Sequence, residues 1–335
     1  MKFFENSNRN NCAIGNYMKR NIVLILILLL VMEANAASRD SLVAVFWNME
    51  NFFDYIDGGG GEADREFSST GTRRWSKKRF YTKCDAVAKS IMWLGDSYGR
   101  MPDIIGLAEI ENRRVLSKML KSTALRKYDY RIIHYESGDR RGIDVAFLYR
   151  ESVMEPVEVT LKTPEYDGIK LPTRDILHSR MLLRDGRTLD FIVNHHPSKF
   201  GGGSASDGRR NAAMRTLKML CDSIGNASVV AMGDFNDSPD GPAFEIIEES
   251  LVNKGKELYM KGEGTIRYEG SWDLIDMFLT GPDLDPVTEM EICRMPFHIV
   301  RESRHPGEKP FRTYSGPRYI GGISDHFPIV LKIFL

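Results

Sequence analysis

The chain has 335 residues, 42% of them hydrophobic and 27% charged, with 46 basic groups balancing 46 acidic ones. Those proportions describe a globular protein, and a net charge of zero excludes a global field that would draw the chain to nucleic acid or an anionic membrane. Any polyanion has to be met by a local basic patch or through a metal.

At the N-terminus, Lys19 and Arg20 precede an apolar run from Ile22 to Met32, followed by Glu33-Ala34-Asn35-Ala36-Ala37. A basic flank, a short apolar core and an A-x-A site predict a secretory signal peptide over residues 1–36, cut after Ala36. Met18 would serve as a start for the same pattern. The run is short for a membrane span. The expectation is a secreted protein, periplasmic or extracellular, a monomer without a stable membrane anchor. No shift of composition follows between Leu42 and Leu335, so residues 37–335 read as a single domain. Cys12 falls in the leader, and Cys84, Cys221 and Cys293 are too few and too widely spaced for a disulfide framework. They read as buried thiols.

Leu42–Trp47 is an apolar run that ends at Asn48-Met49-Glu50-Asn51, with Asn48 and Glu50 sharing a face. An irregular segment, Asp57 to Arg74, leads into the basic cluster Arg73, Arg74, Lys77, Lys78 and Arg79 around Trp75, a candidate phosphate contact. From Ser76 the spacing of Phe80, Cys84, Val87, Ala88, Ile91 and Met92 predicts a helix that stops at Gly95. Asp103–Ala108 reads as a strand delivering Glu109, and Val115, Leu116, Met119 and Leu120 as a second helix. Tyr130–His134, Ile143–Tyr149 and His178–Leu183 read as strands, and Leu189–Val193 as another that ends at Asn194-His195-His196-Pro197-Ser198-Lys199. Gly201-Gly202-Gly203-Ser204 reads as a flexible loop, with Asp207 capping a helix whose apolar face is Ala213, Leu217, Leu220, Cys221 and Ile224.

Ser228–Met232 is a further buried strand, and it presents Gly233-Asp234-Phe235-Asn236-Asp237. Asp234 and Asn236 share a face, which suits a metal or a phosphate; a polar turn reads equally well from this stretch alone. Pro242–Phe244 starts a short helix, Trp272–Leu279 is a strand carrying Asp276, and Ser324-Asp325-His326 precedes the terminal strand Ile329–Phe334. Helices and strands alternate early, and antiparallel-looking pairs cluster between Tyr130 and Val193. The pattern is mixed α/β, with strands packed under helices.

Asn48, Glu50, Glu109, His195, Asp234, Asn236, Asp325 and His326 all lie at the exits of apolar runs or in loops beside them. Carboxylates with amides and imidazoles, and no thiolate, favour a hard cation, Mg2+ or Mn2+ rather than zinc. A cation to polarise a phosphoryl group, beside a His–carboxylate pair, is what phosphate-ester hydrolysis requires.

The motifs WNMEN (Trp47–Asn51), AEIEN (Ala108–Asn112), NHHPSK (Asn194–Lys199), GDFND (Gly233–Asp237), WDLIDMFL (Trp272–Leu279) and SDHFP (Ser324–Pro328), in that order, resemble the endonuclease/exonuclease/phosphatase superfamily. The chain is similar to its deoxyribonuclease- and AP-endonuclease-like members, and resembles a secreted bacterial-type one. The resemblance implies a four-layered α/β sandwich, two face-to-face mixed β-sheets flanked by helices, with the site at one end of the sheets. It also implies Glu109 as principal metal ligand, with Asn48, Glu50 and Asp325 close to the metal. Asp234 would position or deprotonate the attacking water, and Asn236 would meet the phosphate. His326 would contact phosphate, oriented by Asp276. His195, rather than His196, would be the functional member of the histidine pair. Arg79, Arg174 and Lys199 are possible phosphate contacts, and Asp237 is assigned to the turn. His134, His178, His298 and His305 read as surface or packing histidines.

These features together imply a divalent-metal-dependent phosphoesterase acting on a phosphodiester, with DNA or RNA favoured. The alternatives are a phosphatase or lipid phosphodiesterase of the same fold, of inositol-phosphate or sphingomyelin type, and a non-catalytic secreted binding protein.

Overall fold

In the computed structural model, residues 41–335 are described, apart from 60, 200–203 and 226. The expected signal peptide and the glycines of the loop at 201–203 lie outside the described residues. Val43–Ile333 forms one compact unit.

Strand β1 (Ser41–Phe52) is buried on both faces. Its odd-numbered residues Val43, Val45, Trp47 and Met49 join a core with Phe80, Cys84, Val87 and Ile91 of helix α1 (Lys77–Ser97). Its even-numbered residues Ala44, Phe46 and Asn48 point to the opposite side. Ser76 caps α1 by accepting from the Arg79 backbone N–H. The helix carries the chain over to β2 (Ile104–Ile110), which runs parallel to β1, as a parallel pair requires. Asn112 caps α2 (Arg113–Ser122) through the Val115 N–H.

The chain continues through β3 (Tyr130–His134), β4 (Asp144–Arg150), β5 (Met154–Lys162), β6 (Ile176–Leu183) and β7 (Thr188–His195). Helix α3 (Ser204–Ile224) then crosses to β8 (Val229–Asp234), parallel to β7. The remaining strands of the two large sheets are β9 (Val252–Asn253), β10 (Asp276–Thr280), β11 (Thr288–Ile292) and β12 (Ile329–Phe334). Two six-stranded sheets result, ordered β11-β12-β1-β2-β4-β3 and β9-β10-β8-β7-β6-β5. Both are mixed, since β1/β2 and β7/β8 are parallel and β2/β4 and β8/β10 antiparallel.

The two sheets pack face to face. A Cβ on Gly106 of β2 would lie 2.5 Å from Met232 Sδ in β8 and 3.2 Å from Val193 in β7, so that position needs a glycine. This is the α/β sandwich that the resemblance implied. Cys84, Cys221 and Cys293 are buried free thiols.

Several local expectations change. The run Trp272–Leu279 is not one strand: Ser271–Asp273 pairs with Ile266–Tyr268 in a separate hairpin, and β10 begins at Asp276. The edge strand β5 has no clean alternation to read, because Glu155, Glu158 and Val157 are all solvent-facing. Its register shifts between Pro156 and Glu158, where proline has no N–H for the ladder. The segment from Asp57 to Arg74 includes a short helix, Glu62–Glu66. Asp207 lies inside the first turn of α3, which starts at Ser204, and pairs with Arg210 instead of capping.

Candidate active site

Register aligns three acidic and imidazole side chains in one row at the end of the second sheet. Asp234, the last residue of β8, stands opposite His195 of β7 on one side and Asp276 of β10 on the other. His326 is fixed to the first sheet: its N–H donates to Ser324 Oγ at 3.0 Å, and that hydroxyl donates to Asn48 O at 2.6 Å. The Trp47 indole N–H also donates to His326 O at 2.8 Å. From that anchorage the imidazole Nδ1 reaches Asp276 Oδ2, 2.8 Å away on the second sheet.

Asp234 is the point of convergence. Its Oδ1 accepts the Asn236 N–H at 2.9 Å, and its Oδ2 accepts the Asn48 amide at 3.0 Å. The same Oδ2 lies 3.6 Å from His195 Nε2 and 4.0 Å from His326 Nε2. Burial, then the neighbouring Asp276, raises the Asp234 carboxyl to about 7. Burial opposes a charge on His326, but Asp276, Asp234 and Asp325 outweigh it and hold the imidazolium well above its ordinary pKa. His195 goes the other way, driven down by burial and by Arg174 and Arg141, so it is neutral at physiological pH.

The strand exits are conformationally special. Glu50, Asn51, Glu109 and Asn236 have φ of 46°, 53°, 60° and 50°, a region that non-glycine residues rarely enter. Hydrogen bonds hold three of them there: Glu50 N to Asn48 Oδ1 at 3.0 Å, Asn51 N to Glu109 Oε2 at 2.7 Å, and Asn236 N to Asp234 Oδ1 at 2.9 Å.

Glu109 and Asp325 form an acidic rim, each held by a half-exposed arginine. Arg141 lies 3.2 Å from Glu109 Oε1, and Arg312 lies 3.0 Å from Asp325 Oδ2. Glu50 is turned toward the loop at 312–314, where its carboxylate accepts the Thr313 N–H at 2.6 Å and the Tyr314 N–H at 3.4 Å. Burial and Asp325 raise its carboxyl to about 7. Under Glu50, Lys83 is buried, bonded to Glu50 O at 2.8 Å and Thr313 Oγ1 at 3.0 Å, and lowered by burial to about 8. The donors here are oxygens, and the Asp325 side chain stays 23% exposed, so the set suits a hard divalent cation that keeps some of its water. Asp234, Asp276 and His326 also lie close enough to share an ion. The hydrogen bond to Asp276 takes His326 Nδ1 and leaves Nε2 turned toward Asp234.

The expected basic contacts are engaged elsewhere. Arg174 is buried, donating to His195 O at 3.1 Å and His196 O at 2.6 Å and pairing with Asp139 at 3.1 Å. It braces the end of β7. Arg79 donates to the carbonyls of Arg73 and Arg74, both at 2.9 Å, with its guanidinium 4.3 Å from the Tyr319 ring centre. Lys199 pairs with Asp237 at 2.9 Å. His196 packs its ring against Phe235, and burial and Arg174 push it down to about 3, so it stays neutral.

Sequence reasoning missed Arg312, Thr313 and Lys83. The signal for Lys83 was present: a lysine sits one residue before Cys84 on the apolar face of α1. Arg312 and Thr313 lie in an irregular segment with no periodicity to mark them.

The endonuclease/exonuclease/phosphatase family model matches residues 43–334. No curated protein sequence matches the chain. Among solved structures, a family protein from Bacteroides thetaiotaomicron is similar with TM-score 0.57 and 17% identity, over 88% of this chain and 97% of that one. A mannosyl-6-phosphatase from the same organism is similar with TM-score 0.56 and 14% identity, over 88% of this chain and 100% of that one. D. rerio TDP2 complexed with a single-strand DNA product gives TM-score 0.53 and 12% identity, over 88% of this chain and 98% of that one. At these identities the likeness is one of fold. The family match, spanning nearly all the described residues, carries more: the chain belongs to the endonuclease/exonuclease/phosphatase family and is a metal-dependent hydrolase of phosphate esters.

Proposed function

We propose that the protein is a secreted phosphodiesterase acting on nucleic acid, with hydrolysis centred on Asp234. The observation that carries this reading is the convergence of Asn48, His195 and His326 on one oxygen of Asp234, at 3.0, 3.6 and 4.0 Å. Asn48 and Asn236 fix both carboxylate oxygens, so the ionised group orients and deprotonates a water for in-line attack on phosphorus. His326, charged and oriented by Asp276, and neutral His195 hold the phosphoryl oxygens and stabilise charge as it develops there. Asn236 adds a polar contact on the same side. A divalent cation, Mg2+ with Mn2+ as a substitute, held by Glu109 and Asp325 with Asn48 beside them, would supply Lewis-acid polarisation and steady the leaving oxygen.

Preference for a diester rests on charge beyond a single phosphate. Arg312, whose guanidinium bonds Asp325, also lines a cleft of about 700 Å³ with Arg304 and His305, and with Arg267 and Lys309, which share Glu302; Glu269 lines it too. Such a cleft accommodates a flanking phosphate of a polynucleotide. The zebrafish protein with single-strand DNA product supports this reading, and the mannosyl-6-phosphatase supports a phosphomonoester as the second one. Secretion rests on the basic, apolar and A-x-A pattern of residues 1–36.

A substrate panel tests the proposal: plasmid DNA, RNA, bis-p-nitrophenyl phosphate, mannose 6-phosphate, inositol phosphates and sphingomyelin, each with Mg2+. Turnover of nucleic acid and of the model diester supports it. Turnover confined to monoesters moves the reading to a phosphatase, and turnover of none leaves a binding protein. Sequencing of the exported protein from Ala37 supports cleavage after Ala36; retention of residues 1–36 contradicts it.

A further inference from the structure

A second group of ligating side chains lies outside the active site. His134, Glu136 and Asp144 bring an imidazole nitrogen and two carboxylate oxygens within 4.8 Å of one another. His134 ends β3 and Asp144 begins β4, neighbours in the first sheet. Register places them away from the space between the sheets. His134 stands opposite Ala146, and Asp144 opposite Ile110, and both partners belong to the helix-side core. Cross-strand partners project to the same side, so this cluster opens on the helix side of the sheet.

The imidazole is the informative group. Its side chain is 2% exposed, and its Nε2 has no hydrogen-bond partner. A buried polar atom without a partner costs about 1–3 kcal/mol, so it calls for a ligand. Nε2 faces Asp144 Oδ2 across 3.4 Å without forming a hydrogen bond. Two donors about 2.0–2.1 Å from a tetrahedral ion stand about 3.3–3.4 Å apart, which matches that separation. The other oxygen of Asp144 is already occupied, accepting the Ser137 N–H at 2.9 Å and hydroxyl at 2.5 Å. Such outer contacts orient a ligating carboxylate. Glu136 is exposed, with a carboxylate oxygen within 4.8 Å of the other two donors. It completes the set from the solvent side and leaves an entry path for the ion.

We infer that His134, Glu136 and Asp144 form a binding site for a transition-series divalent cation, with Zn2+ as the best-matched ion. The buried imidazole is the donor that sets this group apart from the oxygen donors Glu109 and Asp325 of the active site, and it favours an imidazole-binding ion over Mg2+ or Ca2+. The ion joins the ends of β3 and β4 and thereby closes the base of the loop between them. That loop carries Asp139 to Arg174 at 3.1 Å and Arg141 to Glu109 at 3.2 Å. The site is therefore structural, and it acts on the catalytic end by ordering those two residues.

The test is Zn2+ titration of the chelator-stripped full chain in excess Mg2+, by calorimetry, with Co2+ absorption as the spectroscopic readout. The expected result is one equivalent of Zn2+ that Mg2+ does not displace, with visible Co2+ bands. Both are lost in His134→Gln, and Glu136→Gln weakens binding by about tenfold or more. Should His134→Gln not fold, Glu136→Gln carries the test, because its side chain is exposed. Unchanged stoichiometry and affinity in Glu136→Gln and His134→Gln, or no Zn2+ bound in excess Mg2+, would overturn the inference.

Discussion

The Asn48 side-chain amide, on the first sheet, donates to Asp234 Oδ2, on the second, at 3.0 Å. This bond ties the two sheets together at their catalytic end and fixes one lone pair of the carboxylate that meets the water. Asn48→Ala leaves a buried carboxylate oxygen short of a donor, a loss of about 1–3 kcal/mol. Removing one preorganised donor costs about 100-fold in kcat or more. Thermal melting and steady-state kinetics on one substrate check both effects, and a kcat within threefold or so of the parent would contradict this role for Asn48.

Asp276 raises both of its neighbours, Asp234 by charge and His326 by charge and hydrogen bond. The working state needs Asp234 ionised and His326 protonated, so activity grows as pH rises through the first pKa and fades through the second. Asp276→Asn removes the charge that lifts both. The whole pH–rate profile therefore moves to lower pH, with kcat at its maximum reduced by about 100-fold or more. A profile that falls in height without moving would contradict the electrostatic role.

Arg174 gives a stability prediction rather than a kinetic one. Its pair with Asp139 is buried, with the two side chains 7% and 6% exposed. Removing one partner of a buried pair costs about 3–5 kcal/mol. Arg174→Ala lowers Tm sharply, and Arg174→Lys rescues little, since an ammonium cannot fork to the carbonyls of His195 and His196. A raised KM with Tm unchanged would restore Arg174 to the substrate.

These cases show what the sequence made legible. The placement of Asn48, Glu109, Asp234, Asp325 and His326 could be read because each follows or borders an apolar run, and strand ends gather at one edge of a sheet. Asp276 was legible by its motif, although the strand holding it proved shorter than its apolar run. For Glu50 and Arg174 the charge was visible and the protein partners were not. Thr313 N–H lies 263 residues from Glu50, and the carbonyl of His195 lies 21 from Arg174. Such partners are backbone atoms, which carry no residue signature and come near only once the fold has formed.

Buried histidines set the acid response. His298, bonded through Nε2 to Ser324 O at 2.8 Å, is lowered by burial to about 4. The unfolded chain binds its proton below about 6.5, the folded chain only below about 4, so stability falls as pH drops through that window. At about 1.4 kcal/mol per unit, the loss is on the order of 2–3 kcal/mol by the lower end. His298→Gln keeps a donor for Ser324 and removes the titration. Denaturant unfolding between pH 6.5 and pH 4 should give a shallower slope for the variant; parallel slopes would contradict the assignment.

Metal-dependent phosphoester hydrolysis organised on Asp234 is tested most directly by hydrolysis of bis-p-nitrophenyl phosphate by the parent protein and by Asp234→Asn. The parent should turn the substrate over with Mg2+, lose that activity in EDTA and regain it when Mg2+ is restored. Asp234→Asn, which keeps the volume of the side chain, should fall by about 1,000-fold or more in kcat. Turnover that survives EDTA, or that survives undiminished in Asp234→Asn, would contradict the account.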